Sequence, residues 1–115
     1  MVVIISYYAK LAFMKIHDAK MLEKCADRAA ALLKALANSE RLLILCNLIE
    51  GEQSAGDLWQ KSNLSQSAFS QHLAVLREQG IVSTRKEMQS VYYSLSNSDA
   101  LALLESLHKI YYSPK

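Results

Sequence analysis

The sequence has 115 residues, of which 51% are hydrophobic, and its formal net charge at pH 7 is +2. This length allows one domain with one hydrophobic core, and the hydrophobic fraction is sufficient to fill it. No segment approaches the roughly 18 to 20 consecutive apolar residues that a membrane-spanning helix needs. The composition therefore predicts a small globular protein, and the weak charge by itself gives no indication of a nucleic-acid partner.

The N-terminal segment MVVIISYYA is apolar but lacks the basic start and the cleavage site of a secretory signal peptide. We therefore expect a cytoplasmic protein. Met14 begins a more ordinary amphipathic sequence, so residues 1–13 are either an upstream-start artefact or a tail that packs on a partner. Accordingly, residues 1–17 are predicted to be an N-terminal extension, disordered or packed on a partner, and residues 18–115 to be the folded domain.

Helix caps and apolar periodicity predict five helices, with breaks at Gly51, at Gly80 and at clusters of Ser and Asn residues. Ser39 is the predicted cap of the second helix. The predicted ranges are 18–37, 39–50, 55–61, 66–78 and a last helix from the SNSD segment to about residue 112.

The helix predicted at 66–78 has two different faces when it is wound at about 100° per residue. One face is apolar, whereas the other carries Ser and Gln in its first two turns. A merely solvated helix would normally carry Glu and Lys there, so this composition favours contact with the edges of DNA bases. A polar surface helix without a function explains this face equally well when it is considered alone. The outward residues are Gln66, Ser67, Ser70 and Gln71, preceded by the predicted cap Ser65.

Two short segments rich in Val, Ile, Thr and Tyr follow this helix, at 81–85 and 90–95, with a polar tip at 86–89. They predict a β-hairpin. Arg85 and Lys86 would reach a phosphate backbone or a minor groove from this hairpin. An ordinary charged hairpin end is the alternative interpretation.

Together these elements predict a mainly α fold with a β-hairpin wing, that is, a winged helix-turn-helix of four helices, a hairpin and a closing helix. The first and last helices carry more apolar surface than one chain of this size needs. This excess predicts a homodimer that binds a palindromic operator, with half-sites about one helical turn or a multiple of it apart. Burial of both apolar flanks within one chain is the alternative. The predicted interface residues are Leu22, Cys25, Ala29, Leu104, Leu107 and Tyr111.

Two motifs, ALANSERLLILCNL and LSQSAFSQHLAVLREQGIVSTRKEMQSVYYSL, resemble the ArsR/SmtB family of dimeric winged-helix repressors, and within it the HlyU, NolR and BigR branch. The resemblance covers roughly residues 20–112. It implies a sequence-specific DNA-binding transcriptional regulator, either a repressor or an anti-silencer that displaces a silencing protein. The residues that it implies contact DNA are Ser65, Gln66, Ser67, Ser70, Gln71, Arg41, Arg85, Lys86 and Gln89. His72 lies on the apolar side of its helix, so we expect it to hydrogen-bond internally instead.

Many members of the family are metal sensors, but their ligand positions are not filled here. Ser54 and Gly56 stand where one family site has two cysteines, and neither can replace a thiolate. At a second family site only Asp99 and His108 remain, too few for a tetrahedral metal ion. We therefore expect no metal and no other cofactor, and we keep metal sensing as a less favoured alternative.

Several members of the branch sense oxidants or sulfide through two cysteines, and Cys46 matches the first of them. Tyr112 stands at the second position and cannot form a disulfide or polysulfide bridge. Cys25 would have to replace it, with its Cα within about 7 Å of that of Cys46. The preferred alternative is that both cysteines are buried structural residues on apolar faces. A thiol-switched repressor is thus the second functional hypothesis.

Neither enzymatic activity nor a purely protein-binding role has much support. The three histidines at 17, 72 and 108 lie on different elements, and three glycines cannot build a phosphate-binding loop. A winged helix used only for protein contact would have an apolar outer face on the helix at 66–78. We therefore expect no enzyme. The expected partners are double-stranded DNA and a second copy of the chain, with no membrane and no small-molecule substrate.

Overall fold

The computed structural model describes residues 19–112. In this range the chain forms five helices and three strands, and it divides after Leu33 into two compact units. The predicted mainly α fold with a β-hairpin wing is confirmed, whereas the predicted extension at 1–17 lies outside the described residues. The elements are α1 (Ala19–Leu36), α2 (Ser39–Leu48), β1 (Gln53–Ser54), α3 (Ala55–Gln60), α4 (Gln66–Glu78), β2 (Val82–Glu87), β3 (Ser90–Leu95) and α5 (Ser98–Tyr111).

The described part of the first unit is residues 19–33 of α1, an alanine-rich segment without Gly or Pro, as a stable helix requires. Cys25 and Ala29 are exposed on it, and Leu22 is partly buried. These three residues belong to the predicted dimer interface, which remains a prediction. Although α1 spans 18 residues, no helix within residues 19–112 is long and apolar enough to cross a membrane.

The core of the second unit consists of the inward sides of its helices and the residues at the start of β2. Ile44, Leu45 and Leu48 form one stripe along α2, because residues three and four positions apart share a helix face. Leu76 of α4 and Ile81 before β2 are fully buried. The α2 stripe and the hydrophobic end of α4 therefore belong to one core.

The closing helix α5 contributes to this core as well as to the surface. Leu104, an interface residue in the sequence-based prediction, is only 3% exposed and belongs to the core instead. It lies one turn from Ala100, which is also buried, so that this side of α5 faces the chain itself. Leu107 is partly buried and Tyr111 is 75% exposed. Both retain surface that a second copy could cover.

Side-chain caps define where the helices begin. Ser65 Oγ accepts a hydrogen bond from Ala68 N at 3.2 Å, which satisfies one of the free amides in the first turn of α4. This predicted cap is confirmed, and α4 begins and ends where predicted. α2 differs, because its cap is Asn38, whose side chain accepts from Arg41 N at 3.0 Å. Ser39 is therefore the first residue of α2 and not its cap.

The C-terminal end of α4 turns directly into the hairpin. Gly80 has a φ of +69°, a conformation that glycine adopts without steric cost. Its amide donates to Arg77 O at 3.0 Å, and the amide of Ile81 donates to Leu76 O at 2.9 Å. These two bonds constitute a Schellman motif, which ends the helix and directs Ile81 into the core.

The hairpin is longer than predicted. β2 pairs with β3 along its whole length, which leaves a turn of only Met88 and Gln89. The predicted four-residue tip at 86–89 is therefore too long. Met88 has a φ of +55°, as the first residue of a tight hairpin turn often requires.

β1 is a third strand that the sequence does not predict. It pairs antiparallel with β3 through Gln53↔Tyr93 and Ser54↔Tyr92, so the sheet order is β1-β3-β2. A strand of two residues has no measurable alternation of polar and apolar positions, and periodicity cannot detect it. β1 joins the loop after α2 to the hairpin and so restrains the hairpin against the rest of the second unit.

Replacing Leu76 by alanine should lower the free energy of unfolding by about 2–5 kcal/mol, because the change removes fully buried methyl groups and leaves a cavity. Chemical denaturation followed by circular dichroism measures this loss. Met88→Ala is the control, since Met88 is 95% exposed and the change should stay within about 0.5 kcal/mol. Equal losses in the two variants would contradict this description of the core.

Candidate nucleic-acid interface

The first two turns of α4 present a continuous exposed polar surface. On the opposite side, Phe69 is 5% exposed and Leu73 is 4% exposed. Their burial fixes the rotation of α4 about its own axis, and this rotation determines which side chains face solvent. Ser hydroxyls and Gln amides can pair with base edges in a major groove, and Gln can pair with adenine through two hydrogen bonds. The exposed side chains are Ser65, Gln66, Ser67, Ser70 and Gln71.

The turn before α4 is held by hydrogen bonds from α3. Trp59 Nε1 donates to Leu64 O at 2.9 Å, and the Ser62 hydroxyl donates to Trp59 O at 2.7 Å. These bonds hold the segment that leads into the Ser65 cap, so the polar surface of α4 begins at a defined place. The role of Trp59 was not predicted from the sequence, although a single tryptophan just before a polar turn is a recognisable signal.

Arg41 of α2 is bound within the second unit. Its Nε donates to Ala35 O at 2.6 Å and its Nη2 donates to Lys34 O at 3.3 Å. These are carbonyls of the last turn of α1, where a cation is also favoured by the helix dipole. The resemblance implies a phosphate contact for Arg41, and such a contact would require the guanidinium to leave these partners.

His72 faces the same guanidinium from α4, with its Nδ1 3.3 Å from Arg41 Nη1. A guanidinium has no acceptor and remains protonated, so His72 must accept this bond on Nδ1 and carry its hydrogen on Nε2. The expected internal hydrogen bond of His72 is present. The side chain of Arg41 therefore hydrogen-bonds both to the last turn of α1 and to the middle of α4.

The wing exposes Lys86 and Gln89, whereas Arg85 is engaged by two carboxylates. Arg85 Nε donates to both oxygens of Glu52 at 3.0 Å, and Nη2 donates to Glu52 Oε1 at 2.8 Å. Its Nη1 donates to Glu87 Oε2 at 2.6 Å. The hydrogen bonds to Glu52 and Glu87 raise the pKa of Arg85 further above its usual range, so the group keeps its charge.

The third contact of Arg85 is aromatic, since its guanidinium carbon lies 4.6 Å from the centre of the Tyr92 ring. This distance is within the range of a cation–π interaction. The role of Glu52 cannot be predicted from the sequence, because Glu52 lies in a loop far from the hairpin along the chain. The pairing of β1 with β3 places it near Arg85.

Both cysteines are exposed, so the expectation that they are buried structural residues is wrong. For Cys46 the reason is helical geometry. The buried stripe of Ile44, Leu45 and Leu48 occupies one side of α2, and residue 46 lies almost opposite it. Partial burial still raises the pKa of the Cys46 thiol, which lowers its thiolate fraction at neutral pH.

The residues at the family's metal-ligand positions either have a structural role or lie far apart from one another on one helix. The Ser54 hydroxyl accepts from Asp57 N at 3.1 Å and caps α3. Asp99 and His108 are both exposed on α5, near its opposite ends. Within residues 19–112, no three side chains of His, Cys, Asp or Glu lie close enough together to hold a metal ion.

A family model described as "Bacterial regulatory protein, arsR family" matches residues 38–84. This range contains α2, α3, α4 and the start of β2. The chain is 49% identical over 104 residues to the transcriptional activator HlyU of Vibrio cholerae serotype O1, and the match covers 90% of this chain and 94% of that protein. It is 44% identical over 94 residues to the biofilm growth-associated repressor of Agrobacterium fabrum, covering 82% and 80% respectively.

Solved structures agree with these relatives. Reduced HlyU from Vibrio cholerae superposes with a TM-score of 0.76 at 50% identity, covering 82% of this chain and 99% of that one. The chain therefore belongs to the ArsR family of bacterial regulatory proteins and is a DNA-binding transcriptional regulator with a winged-helix fold.

Proposed function

We propose that the protein acts as a homodimer that binds a palindromic operator in double-stranded DNA, with α4 of each copy in a major groove. The observation that carries this proposal is the exposed polar face of α4, whose opposite face is buried. The contact residues would be Ser65, Gln66, Ser67, Ser70 and Gln71. Side chains of this kind distinguish base pairs by hydrogen bonds, whereas a merely solvated face would be charged.

The wing would add sequence-independent contacts beside the major-groove site. Lys86 and Gln89 are exposed near its tip, where a phosphate backbone or a minor groove would pass. Arg85 could join them once it leaves its carboxylate partners. Because the chain carries a net charge of only +2, we expect few phosphate contacts and modest non-specific affinity.

The two relatives are named for opposite effects on transcription, since HlyU is called an activator and the Agrobacterium fabrum protein a repressor. We propose that this protein works by occupying its operator, either as a repressor or as an anti-silencer that displaces a silencing protein. It would act in the cytoplasm, without enzymatic activity and without a metal ion or small-molecule substrate. The engagement of the Ser54 hydroxyl in capping α3 supports the proposal that this position has a structural role.

Alanine at Gln66 or at Gln71 should weaken operator binding by about 1–3 kcal/mol, or about five- to 150-fold, because each change removes a side chain that pairs with a base edge. The operator is first obtained by selecting genomic fragments that the protein binds, and affinity is then measured by fluorescence anisotropy. Gln79→Ala is the matched control, since Gln79 is exposed at the opposite end of α4. Unchanged operator affinity in both test variants would refute base contact by this face.

The proposed dimer predicts that the wild-type chain sediments as a dimer at micromolar concentrations. Tyr111→Glu should raise the dimer dissociation constant at least about tenfold, because it places a charge on an exposed aromatic side chain of the proposed interface. Ala102→Glu is the control, since residue 102 is exposed about 180° away around α5. A monomeric wild type, or equal effects of the two substitutions, would contradict this interface.

A thiol switch remains the second candidate function, and the exposure of Cys25 and Cys46 favours it. Because the pKa of Cys46 is raised, its thiolate should be scarce at pH 7 and should increase only at more alkaline pH. In a Cys25→Ser variant, iodoacetamide should therefore alkylate Cys46 more slowly at pH 7 than it alkylates a free cysteine peptide, as mass spectrometry can follow.

The regulatory role of these thiols has a separate test, in which operator binding is compared before and after treatment with oxidant or polysulfide. If a switch exists, treatment changes the affinity of the wild type, and Cys46→Ser abolishes the response. An unchanged wild type would exclude the thiol switch.

A further inference from the structure

Arg85 and Lys86, the two cations near the end of β2, differ in whether their side chains have partners within the chain. Neighbouring residues of a strand point to opposite faces of the sheet, so the two side chains face different ways. Within residues 19–112, the side chain of Lys86 has no hydrogen-bond or ion-pair partner, whereas that of Arg85 donates to Glu52 and Glu87. Lys86 is thus available to a ligand, whereas Arg85 is occupied by carboxylates of its own chain.

The position of Glu52 follows from the sheet. Tyr92 on the central strand β3 pairs with Arg85 on one side and with Ser54 on the other. Glu52 directly precedes β1, and its carboxylate contacts Arg85 on the face of the sheet that carries the Tyr92 ring. The side chain of Arg85 passes over the ring of Tyr92 and reaches the Glu52 carboxylate with three hydrogen-bond contacts.

This ion pair is not what holds the wing together. β2 pairs with β3 at six positions and β1 pairs with β3 at two, so the backbone ladder persists without it. Arg85 and Glu52 also remain 50% and 34% exposed at their side chains, and an exposed ion pair adds little to stability. The fork of donors that grips Glu52 suits a phosphate equally well, because arginine binds both groups in a bidentate manner.

We propose that Glu52 is an intramolecular competitor of the DNA backbone, which occupies Arg85 in the free protein and yields it to a phosphate only in the operator complex. This inference rests on the proposed contact between the wing and DNA. Base contacts by α4 would hold the wing against one phosphate of the operator, whereas on other DNA no such alignment exists and Glu52 keeps Nε and Nη2 of the guanidinium, while Glu87 stays on Nη1. Glu52 would therefore raise specificity by suppressing binding to non-operator sequences.

Substituting Glu52→Gln preserves the shape of the side chain and removes its charge. On a non-operator duplex, this variant should bind about three- to tenfold more tightly than the wild type near 0.1 M salt, because one more phosphate is neutralised. The plot of log affinity against log salt should steepen by about 0.9 for each Arg85 that is released. Operator affinity should rise less, so the ratio of operator to non-operator affinity should fall.

Two controls separate competition from a general charge effect. Glu50→Gln changes the net charge equally at an exposed position two residues away, where no ion pair with Arg85 exists, and it should leave the salt slope as in the wild type. In the double variant Glu52→Gln/Arg85→Gln, the gain in non-operator affinity should disappear. Thermal melting checks that each variant is folded.

Three results would overturn the proposal: an unchanged salt slope in Glu52→Gln, equal gains in Glu52→Gln and Glu50→Gln, or weaker binding by Glu52→Gln. The last would mean that the ion pair positions the wing. None of these results would contradict the proposed operator binding, provided that the wild type binds its operator and the Gln66→Ala variant binds it more weakly. A wild type that binds no DNA would overturn the proposed function, and this inference with it.

Discussion

The burial of one apolar stripe on α4 is the constraint on which the rest of the second unit depends. Phe69, Leu73 and Leu76 fill the core on one side of the helix, so the first two turns have only one orientation in which no apolar side chain is exposed. The cap at Ser65 sets where the helix starts, and the Schellman motif at Gly80 sets where it ends. Packing and capping together therefore determine which polar groups DNA would meet.

Features with short-range causes could be predicted from the sequence. The bounds of α4, its Ser65 cap, the left-handed Gly80 and the existence of the hairpin each depend on residues within a few positions of one another. The outward set on α4 follows from helical periodicity alone. The Ser and Gln face of α4 indicated a DNA partner and the resemblance to a family strengthened that prediction, although a net charge of +2 does not suggest it.

Features with long-range causes could not be predicted in this way. The partners of Arg85 include Glu52, and those of Arg41 include His72, yet each pair lies about thirty positions apart. Arg41 and Arg85 were predicted to contact DNA because both stand in the motifs of the family. The sequence does not reveal the carbonyls and carboxylates of the same chain that bind them. The wrong prediction for Cys46 has a short-range cause. Nearly all of its neighbours in α2 are apolar, so the sequence did not show which side of the helix is buried, and Cys46 lies outside the buried stripe. Leu104 shows the reverse error, an apolar helix residue assigned to a partner although its own chain covers it.

The direct passage from α4 through Gly80 into the hairpin also bears on the order of folding. The bonds of the Schellman motif and the pairs of β2 with β3 close only short loops, so little chain entropy is lost when they form. The pairing of β1 with β3 joins distant parts of the chain and carries a larger entropic cost. We therefore expect α4 and the hairpin to form early in folding, and β1, which directly follows Glu52, to pair with β3 later.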